Sequence, residues 1–246
     1  NNSTAAASRL RDSKALVARK PLKVGQAISH EDLEYQDHEG GNAPSLDLVV
    51  GNSPSVGIPA GEPLSLSALT LRRVALIQVR RRSSRLPDKA FMQLGSRPAI
   101  EHVVRRTKVA EELDEVVICT TDLEEDRKLV EVGEALGIRG FRGSQDDVMQ
   151  RFLGAAEAFD ADVLIRITGD NPLIDPRCID EAIRYHLAEN ADYTITRGLP
   201  VGTGLEIFST ATLERAYKLA RNPERSEDIA YYLGREDVFR ACRFTP

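Results

Sequence analysis

Five cationic side chains fall within ten residues of this chain, from Arg80 to Lys89. Guanidinium and ammonium groups at this density suit a multiply charged anion such as a triphosphate. The segment follows the apolar run Val74 to Ile77, which predicts a buried strand, and it precedes a predicted helix near 98–109. A strand, a cationic loop and a helix in this order place anions at the carboxyl edge of a parallel sheet. A solvated basic turn is the usual alternative for a charge run, but the position at a strand end favours the anion site.

A carboxylate follows a second apolar run. Asp170 comes just after the strand predicted near 162–168, and Gly169 before it would let the backbone approach closely. A carboxylate at such a strand end can hold Mg²⁺ against the phosphates of a nucleotide. An aspartate there could equally satisfy the amides of a turn, so spacing alone leaves both interpretations open.

Two further segments contain candidate residues. The segment Arg142 to Arg151 ends a short predicted strand and opens a helix, with Ser144 or Asp146 as its candidate N-cap. Arg151, one turn into that helix, could face solvent or reach a phosphate or a ribose. The glycines before Glu206 indicate either a loop that passes close to a ligand, with Glu206 on a strand facing the site, or a hairpin turn.

The pattern of apolar residues changes near Leu71. Residues 1–71 are rich in turns and short apolar runs, whereas from Arg72 onward apolar runs alternate with amphipathic segments of a dozen residues or more. This alternation is typical of βα units around a parallel sheet. Strands are predicted near 73–79, 115–120, 139–142, 162–168 and 192–196. Helices are predicted near 98–109, 123–136, 146–159, 177–188, 211–221 and 226–234.

Local signals mark several element ends. Asp122 with Glu125 forms a capping-box pattern for the second of these helices, and Gly137 stands where its C-cap is expected. Asp175 followed by proline predicts the start of the fourth helix. In the first part of the chain, residues 29–32 predict a capped single helical turn.

Composition narrows the class of protein. A chain of 246 residues holds one large domain, or a small domain and a medium one, and a net charge of -5 argues against general nucleic-acid binding. No apolar run approaches the roughly 18 to 20 residues that span a bilayer, so no membrane partner is expected.

Three widely spaced cysteines without a CxxC pair argue against a zinc site and a disulfide scaffold. They predict reduced thiols in a cytoplasmic protein. The lack of an initiating Met suggests a piece of a longer chain.

The residues from Val74 to about Phe244 resemble the cytidylyltransferase family that includes spore coat polysaccharide biosynthesis proteins, acylneuraminate cytidylyltransferase and 3-deoxy-manno-octulosonate cytidylyltransferase. Four motifs occur in the family's order, at 77–89, 120–121, 142–151 and 166–176. The resemblance implies an α/β fold, a Rossmann-like (GT-A-like) nucleotidyltransferase sandwich of three layers with a mostly parallel sheet. It also implies a reaction that moves CMP from CTP onto an acidic sugar and releases pyrophosphate.

The resemblance assigns roles to individual residues. The triphosphate would be bound, and catalysis supported, by three cations: Arg80, Arg85 and Lys89. The remaining nucleotide contacts would come from Gln78, Ser83, Thr120, Arg142, Gly143, Ser144 and Arg151. Asp170 would bind Mg²⁺ and Glu206 would line the sugar side. Since the sugar's own anomeric hydroxyl attacks, no protein nucleophile is required.

Some positions depart from the family pattern. Arg82 and Asp88 stand where glycine is common, so Arg82 is expected to add bulk near a phosphate and Asp88 to add a negative charge beside it. The family continues past its last strand with a segment carrying another metal-binding aspartate, so the domain is expected to be truncated at its carboxyl end. These departures favour an alternative function: a catalytically impaired nucleotide- or sugar-binding or scaffold module of a larger sialic acid synthase-type protein. A glycosyltransferase on the same fold is a weaker alternative, because the D-x-D sequence is absent from the expected strand end.

Residues 13–69 resemble the SAF, or antifreeze-like, domain found at the carboxyl end of N-acetylneuraminate synthases. The family's R-P-G sequence, whose arginine is expected to meet substrate, is replaced here by residues 36–38. The resulting division is a small β-rich SAF domain over 1–71 and a cytidylyltransferase-like domain over 72–246. Such a pairing would link making a nonulosonic acid to activating it. It predicts a synthase domain ahead of residue 1 in the parent chain, and relatives of this kind suggest a homodimer.

Overall fold

A computed structural model describes residues 13–39, 41–82, 86–220 and 229–246 of the chain. The small module at the start consists of short strands that pair as two antiparallel ribbons. Its elements are β1 (Lys14–Ala18), β2 (Leu33–Asp37), α1 (Leu46–Val49), β3 (Ser53–Pro54) and β4 (Leu69–Thr70). The predicted helical turn is confirmed at His30–Asp32, where the Asp32 carboxylate accepts from the Ser29 N–H and hydroxyl, both at 2.9 Å.

The larger module contains a seven-stranded sheet. Its strands are β5 (Arg73–Gln78), β8 (Glu115–Thr121), β9 (Arg139–Gly143), β10 (Val163–Thr168), β11 (Tyr193–Thr196), β12 (Glu206–Ser209) and β13 (Ala241–Phe244). A small hairpin of β6 (Gln93–Leu94) and β7 (Arg97–Pro98) lies outside the sheet. The order across the sheet is β13-β11-β12-β10-β5-β8-β9, with β12 antiparallel to both neighbours and the other pairs parallel.

Helices cover both faces of this sheet. They are α2 (Ala99–Thr107), α3 (Arg127–Ala135), α4 (Val148–Ala158), α5 (Pro176–Ala188), α6 (Thr210–Leu219) and α7 (Ile229–Leu233). Alternate residues of β5 point to opposite faces, so Ile77 joins a core with Ile100 and Ile183, while Leu76 joins a second core with Phe152 and Leu213. These layers confirm the predicted three-layer α/β architecture. Within the described residues, the helices are too short or too polar to cross a lipid bilayer.

Most predicted element positions agree with the structure. The five predicted strands are present, whereas β12 and β13 were not among them. Asp175 is the N-cap of α5, with Pro176 in its first turn, and Gly137 ends α3 with φ of +72°. Residues 226–228 of the last predicted helix lie outside the described residues.

Two predicted caps are wrong. Asp122 does not cap a helix, because a 3₁₀ turn over Glu124–Asp126, with Leu123 at its N-cap, precedes α3 and Asp126 is the N-cap of α3. The N-cap of α4 is Asp147, whose side chain accepts from the Gln150 N–H at 2.9 Å, rather than Ser144 or Asp146.

The small module packs against the edge of the sheet where the parallel strands begin. Two residues separate β4 from β5. Asn190, just ahead of β11, accepts from the Leu66 N–H at 2.8 Å and donates to the Asn42 carbonyl at 2.6 Å. Asp162, just ahead of β10, accepts from the Arg72 N–H at 2.7 Å. The carboxyl edge of the sheet is therefore left open on the opposite side.

Candidate active site

The two central strands β5 and β10 end side by side at the carboxyl edge. The chain leaves β5 toward β8 on one side and reaches β10 on the other, so this is a topological switch point, where open α/β sheets bind ligands. The Gly169 N–H donates to the Gln78 carbonyl at 2.8 Å. A Cβ at residue 169 would lie 2.5 Å from the Val79 Cβ, so glycine is what allows the loops after the two strands to touch.

One ion pair joins these loops. Lys89 Nζ contacts Asp170 Oδ2, bringing together two residues that are far apart in the sequence. Burial raises the pKa of Asp170, but hydrogen bonds from Lys89 and Thr168 outweigh it and hold the pKa below its ordinary value. Both side chains remain partly exposed, at 30% for Lys89 and 42% for Asp170. An anionic carboxylate and a cation therefore meet at the predicted place, within reach of solvent.

The other predicted cations belong to the same segment (residues 79–89, here the cationic loop), of which residues 83–85 are not described. Arg80 is exposed at the end of β5. Arg85 and Ser83 lie outside the described residues. Arg82 is 74% exposed and pairs with Glu125 at 2.7 Å, so its side chain is engaged at the α3 side of the loop.

Asp88 is paired rather than presented alone to an anion. Its carboxylate faces Arg81 Nε at 2.7 Å and Nη2 at 3.0 Å. The hydrogen bond from Arg81 holds the pKa of Asp88 below its ordinary value, so the carboxylate is charged but compensated. The residue has φ of +55°, in the left-handed region that favours glycine. That backbone explains why glycine suits this position in the family pattern.

Asp126 supports the start of the cationic loop, and sequence reasoning missed it. It is 1% exposed, accepts from the Arg81 N–H at 2.8 Å and binds the Thr121 hydroxyl at the end of β8. A buried carboxylate must have such partners, because desolvation without them is costly. The signal in the sequence was an acidic residue shortly after two threonines at a strand end.

The predicted nucleotide-binding segment after β9 is organised by its own arginines. Arg142 donates to the carbonyls of Asp122 at 2.6 Å and Leu123 at 2.9 Å. Arg151 is 3% exposed, which excludes the solvent-facing alternative, and Nη1 binds the Ser144 carbonyl. These arginines therefore shape the loops between β8, β9 and α4.

Three more predicted residues lie near this segment. A Cβ at Gly143 would lie 2.9 Å from Phe141 and 3.1 Å from Arg151, so only glycine fits. The Ser144 hydroxyl accepts from the Asp147 N–H at 3.1 Å. Thr120 is fully buried at the end of β8. Its hydroxyl has no hydrogen-bond partner among the described residues.

A buried polar network lies below the rim of the site. Arg166 of β10 donates from Nε to the Gln78 side chain at 2.7 Å and forms an ion pair with Glu206 of β12. The Tyr193 hydroxyl donates to Glu206 at 2.8 Å. The pKa of Tyr193 is raised above its ordinary value, mainly because the side chain is buried and to a lesser extent because the Glu206 carboxylate lies beside it. Gln78 and Glu206 are thus joined through Arg166, a residue that sequence reasoning placed in a motif but not in the site.

The residues at this edge fit a divalent cation that arrives with a nucleotide. Among the described residues, no group of three or more His, Cys, Asp or Glu side chains could hold a metal by itself. The Lys89 ammonium occupies a cation position on Asp170. Mg²⁺ in nucleotide sites is commonly bound by one or two carboxylates together with substrate phosphates and waters. Asp170 is suited to supply such a carboxylate.

Comparison with known proteins identifies the family. A family model described as cytidylyltransferase matches residues 74–241, and a SAF domain model matches residues 13–70. The chain belongs to the cytidylyltransferase family. It is a nucleotidyltransferase by that membership, with the SAF module preceding the matched cytidylyltransferase segment.

Three relatives show how far the similarity extends. The chain is 37% identical over 163 residues to the uncharacterized protein MJ1063 of Methanocaldococcus jannaschii, covering 66% of this chain and 67% of that protein. It is 37% identical over 174 residues to the spore coat polysaccharide biosynthesis protein SpsF of Bacillus subtilis, covering 69% and 72%. A 3-deoxy-manno-octulosonate cytidylyltransferase of Geotalea daltonii is 34% identical over 115 residues, covering 46% and 44%.

Solved structures agree with the cytidylyltransferase assignment. A cytidylyltransferase from Leptospira borgpetersenii superposes with a TM-score of 0.69 at 30% identity, covering 72% of this chain and 77% of that one. The fold is shared with CMP:2-keto-3-deoxy-manno-octonic acid synthetase complexed with CTP, at a TM-score of 0.57 and 18% identity, covering 71% and 90%.

Proposed function

We propose that the protein transfers CMP from CTP to the anomeric hydroxyl of an acidic sugar. The observation that carries the proposal is the Lys89–Asp170 pair at the switch point between β5 and β10, with Arg80 exposed two residues after the end of β5. The names of the relatives SpsF and 3-deoxy-manno-octulosonate cytidylyltransferase support a sugar acid as the acceptor. The SAF module adds to that support, because such modules resemble the tails of sialic acid synthases.

The reaction requires positioning and charge stabilisation rather than a protein nucleophile. The sugar hydroxyl oxygen forms a bond to the α-phosphorus of CTP and its proton passes to solvent, while the bond from that phosphorus to the bridging oxygen breaks and pyrophosphate leaves. Negative charge grows on the phosphate oxygens, where Arg80 and Lys89 would stabilise it. Mg²⁺ bound with Asp170 would neutralise further charge on the polyphosphate. The buried Arg166–Glu206 network would form the wall below the sugar.

A coupled assay of pyrophosphate release tests the proposal. CTP with a panel of 2-keto-3-deoxy sugar acids should give pyrophosphate and a CMP-sugar, whereas ATP, GTP and neutral sugars should not. Binding of CTP without turnover on any sugar acid would instead indicate the scaffold-type binding module. Absence of CTP binding in the presence of millimolar Mg²⁺ would reject the proposed function.

A cytoplasmic location is part of the same proposal. All three cysteines of the chain are free thiols, with Cys119 and Cys178 buried. Burial raises the pKa of Cys119 to about 12 and that of Cys178 to about 11, so both stay protonated and unreactive. Free thiols are typical of a reducing compartment.

A further inference from the structure

The cationic loop contains a closed ring that the proposed chemistry does not use. The Arg81 guanidinium faces both Asp88 oxygens, at 2.7 and 3.0 Å. The Asp88 N–H donates to the Arg81 carbonyl at 3.0 Å. Residues 81 and 88 are therefore joined by one backbone hydrogen bond and by a bidentate side-chain pair. The bidentate geometry is the one in which arginine–carboxylate pairs are strongest.

Arg81 is also fastened to the body of the domain. Its N–H donates to Asp126 at 2.8 Å and its Nη1 donates to the Glu125 carbonyl at 3.2 Å. The guanidinium lies 5.7 Å from the centre of the Phe91 ring, within cation–π range. Because Asp126 is itself buried against Thr121, the ring is anchored to the end of β8.

The backbone of Asp88 makes this anchoring informative. Aspartate visits the left-handed region less readily than glycine, and the Arg81 pair supplies contacts that hold Asp88 at φ of +55°. The hydrogen bond between the two side chains raises the pKa of Arg81 and lowers that of Asp88, so both are charged together. Arg80 and Lys89 border this ring on its two sides along the chain.

We propose that Arg81 is a positioning residue: by pairing with Asp88 it holds that residue in place and keeps the Asp88 charge away from the bound triphosphate. The identity of the anion rests on the proposed function, whereas the pairing of Arg81 with Asp88 does not. Arg81 does not touch the nucleotide. It fixes the distance between the two neighbours that do, Arg80 and Lys89.

Rescue of one substitution by another tests this role. Arg81→Met leaves the Asp88 carboxylate uncompensated beside the polyphosphate, so CTP binding should weaken about tenfold while CMP binding changes less than about twofold. Adding Asp88→Asn should recover most of the lost CTP affinity, because asparagine tolerates the left-handed backbone and carries no charge. Hydrogen exchange of the residue 88 amide should be faster in both variants than in wild type.

A matched pair elsewhere serves as the control. Arg235 and Asp237 form a similar fork, at 3.2 and 2.7 Å, ahead of β13 at the opposite edge of the sheet. Arg235→Met with Asp237→Asn should leave CTP and CMP affinities unchanged. Failure of Asp88→Asn to restore CTP binding, or equal losses for CTP and CMP, would overturn the proposal. If wild type binds no CTP, the proposed function fails, and the exchange of the residue 88 amide in Arg81→Met still decides whether the Arg81 side chain holds residue 88 in place.

Discussion

Two aspartates lie at the two ends of strand β10, one with neutral partners and the other with a charged partner. Asp162 precedes the strand and accepts from neutral donors, the Arg72 N–H at 2.7 Å and the Asn52 side-chain amide at 3.3 Å. Asp170 follows the strand and contacts the Lys89 ammonium. Burial raises the pKa of Asp162, whereas the pKa of Asp170 is lowered because its hydrogen bonds outweigh the effect of burial.

The difference separates a structural carboxylate from one suited to a ligand. Asp162 holds the backbone where the small module meets the sheet, and its partners cannot be exchanged without leaving polar groups unsatisfied. The partner of Asp170 is a partly exposed lysine, and another cation could take its place. The start of β10, at Asp162, is therefore the fixed end of the strand, because its partners cannot be exchanged. The other end, at Asp170, is the exchangeable end, because another cation can replace the lysine.

The largest expected effect is on turnover at the exchangeable end. Asp170→Asn removes the charge that would hold Mg²⁺ against the polyphosphate, so kcat should fall about 100- to 1000-fold. Thermal stability should hardly change, because the pair with Lys89 is partly exposed. Asp114→Asn, at the amino edge, is the control and should keep normal turnover. Normal activity of Asp170→Asn would remove this carboxylate from the site.

The next effect is on stability at the fixed end. Asp162→Ala leaves the Arg72 N–H without its acceptor, and the free energy of unfolding should fall by about 2 kcal/mol. The kcat of the folded protein should stay the same, since the substitution lies at the opposite edge from Lys89. Urea unfolding and the pyrophosphate assay measure the two quantities. A loss of kcat without a loss of stability would contradict the assignment of Asp162 to stability and of Asp170 to turnover.

A smaller effect concerns cation exchange at Asp170. Lys89→Met frees this carboxylate, so Mn²⁺ alone should bind about threefold more tightly than to wild type, while CTP binds less tightly. Electron paramagnetic resonance of free Mn²⁺ measures the first effect without any turnover. Lys108→Met is the control, since Lys108 binds the Leu136 carbonyl near the amino edge. Equal Mn²⁺ affinity in wild type and Lys89→Met would show that the lysine does not compete for Asp170.

The smallest effect is a pH dependence of opposite sign at the two aspartates. Asp170 has a lowered pKa, so its contribution to stability is present above the ordinary value of 3.8 and is lost as the pH falls through its own pKa. Asp162 has a raised pKa, so the folded state takes up its proton first and gains relative stability as the pH falls toward 3.8. Unfolding free energies of wild type, Asp170→Asn and Asp162→Asn, compared between pH 6 and pH 3, should show the two trends. Parallel trends would contradict the assigned environments.

The features that the sequence predicted well are those set by local patterns. Apolar runs located β5 and β10, and the charges that follow them had to meet at one edge because parallel strands end together. The order of elements put Lys89 and Asp170 at the same edge of the sheet, and the family resemblance joined them in one site. Gly169 was predicted to allow close approach, and the short distance to Val79 confirms it.

The features that were missed depend on pairs distant in sequence. Asp88 was treated as a lone charge because nothing in its neighbourhood shows that Arg81 folds back onto it. Arg166 was not assigned to the site because its partner Glu206 lies on β12, an antiparallel strand inserted between β10 and β11. The inserted strand cannot be placed by periodicity, since its pairing is set by tertiary packing.

The two-residue connection between β4 and β5 limits how the small module can move relative to the sheet. This short connection, together with the hydrogen bonds of Asn190 and Asp162, prevents the small module from rotating about the sheet. The six residues of β10 alone span about 20 Å between the two edges. The short connection therefore keeps the small module at the opposite edge of the sheet from the Lys89–Asp170 pair.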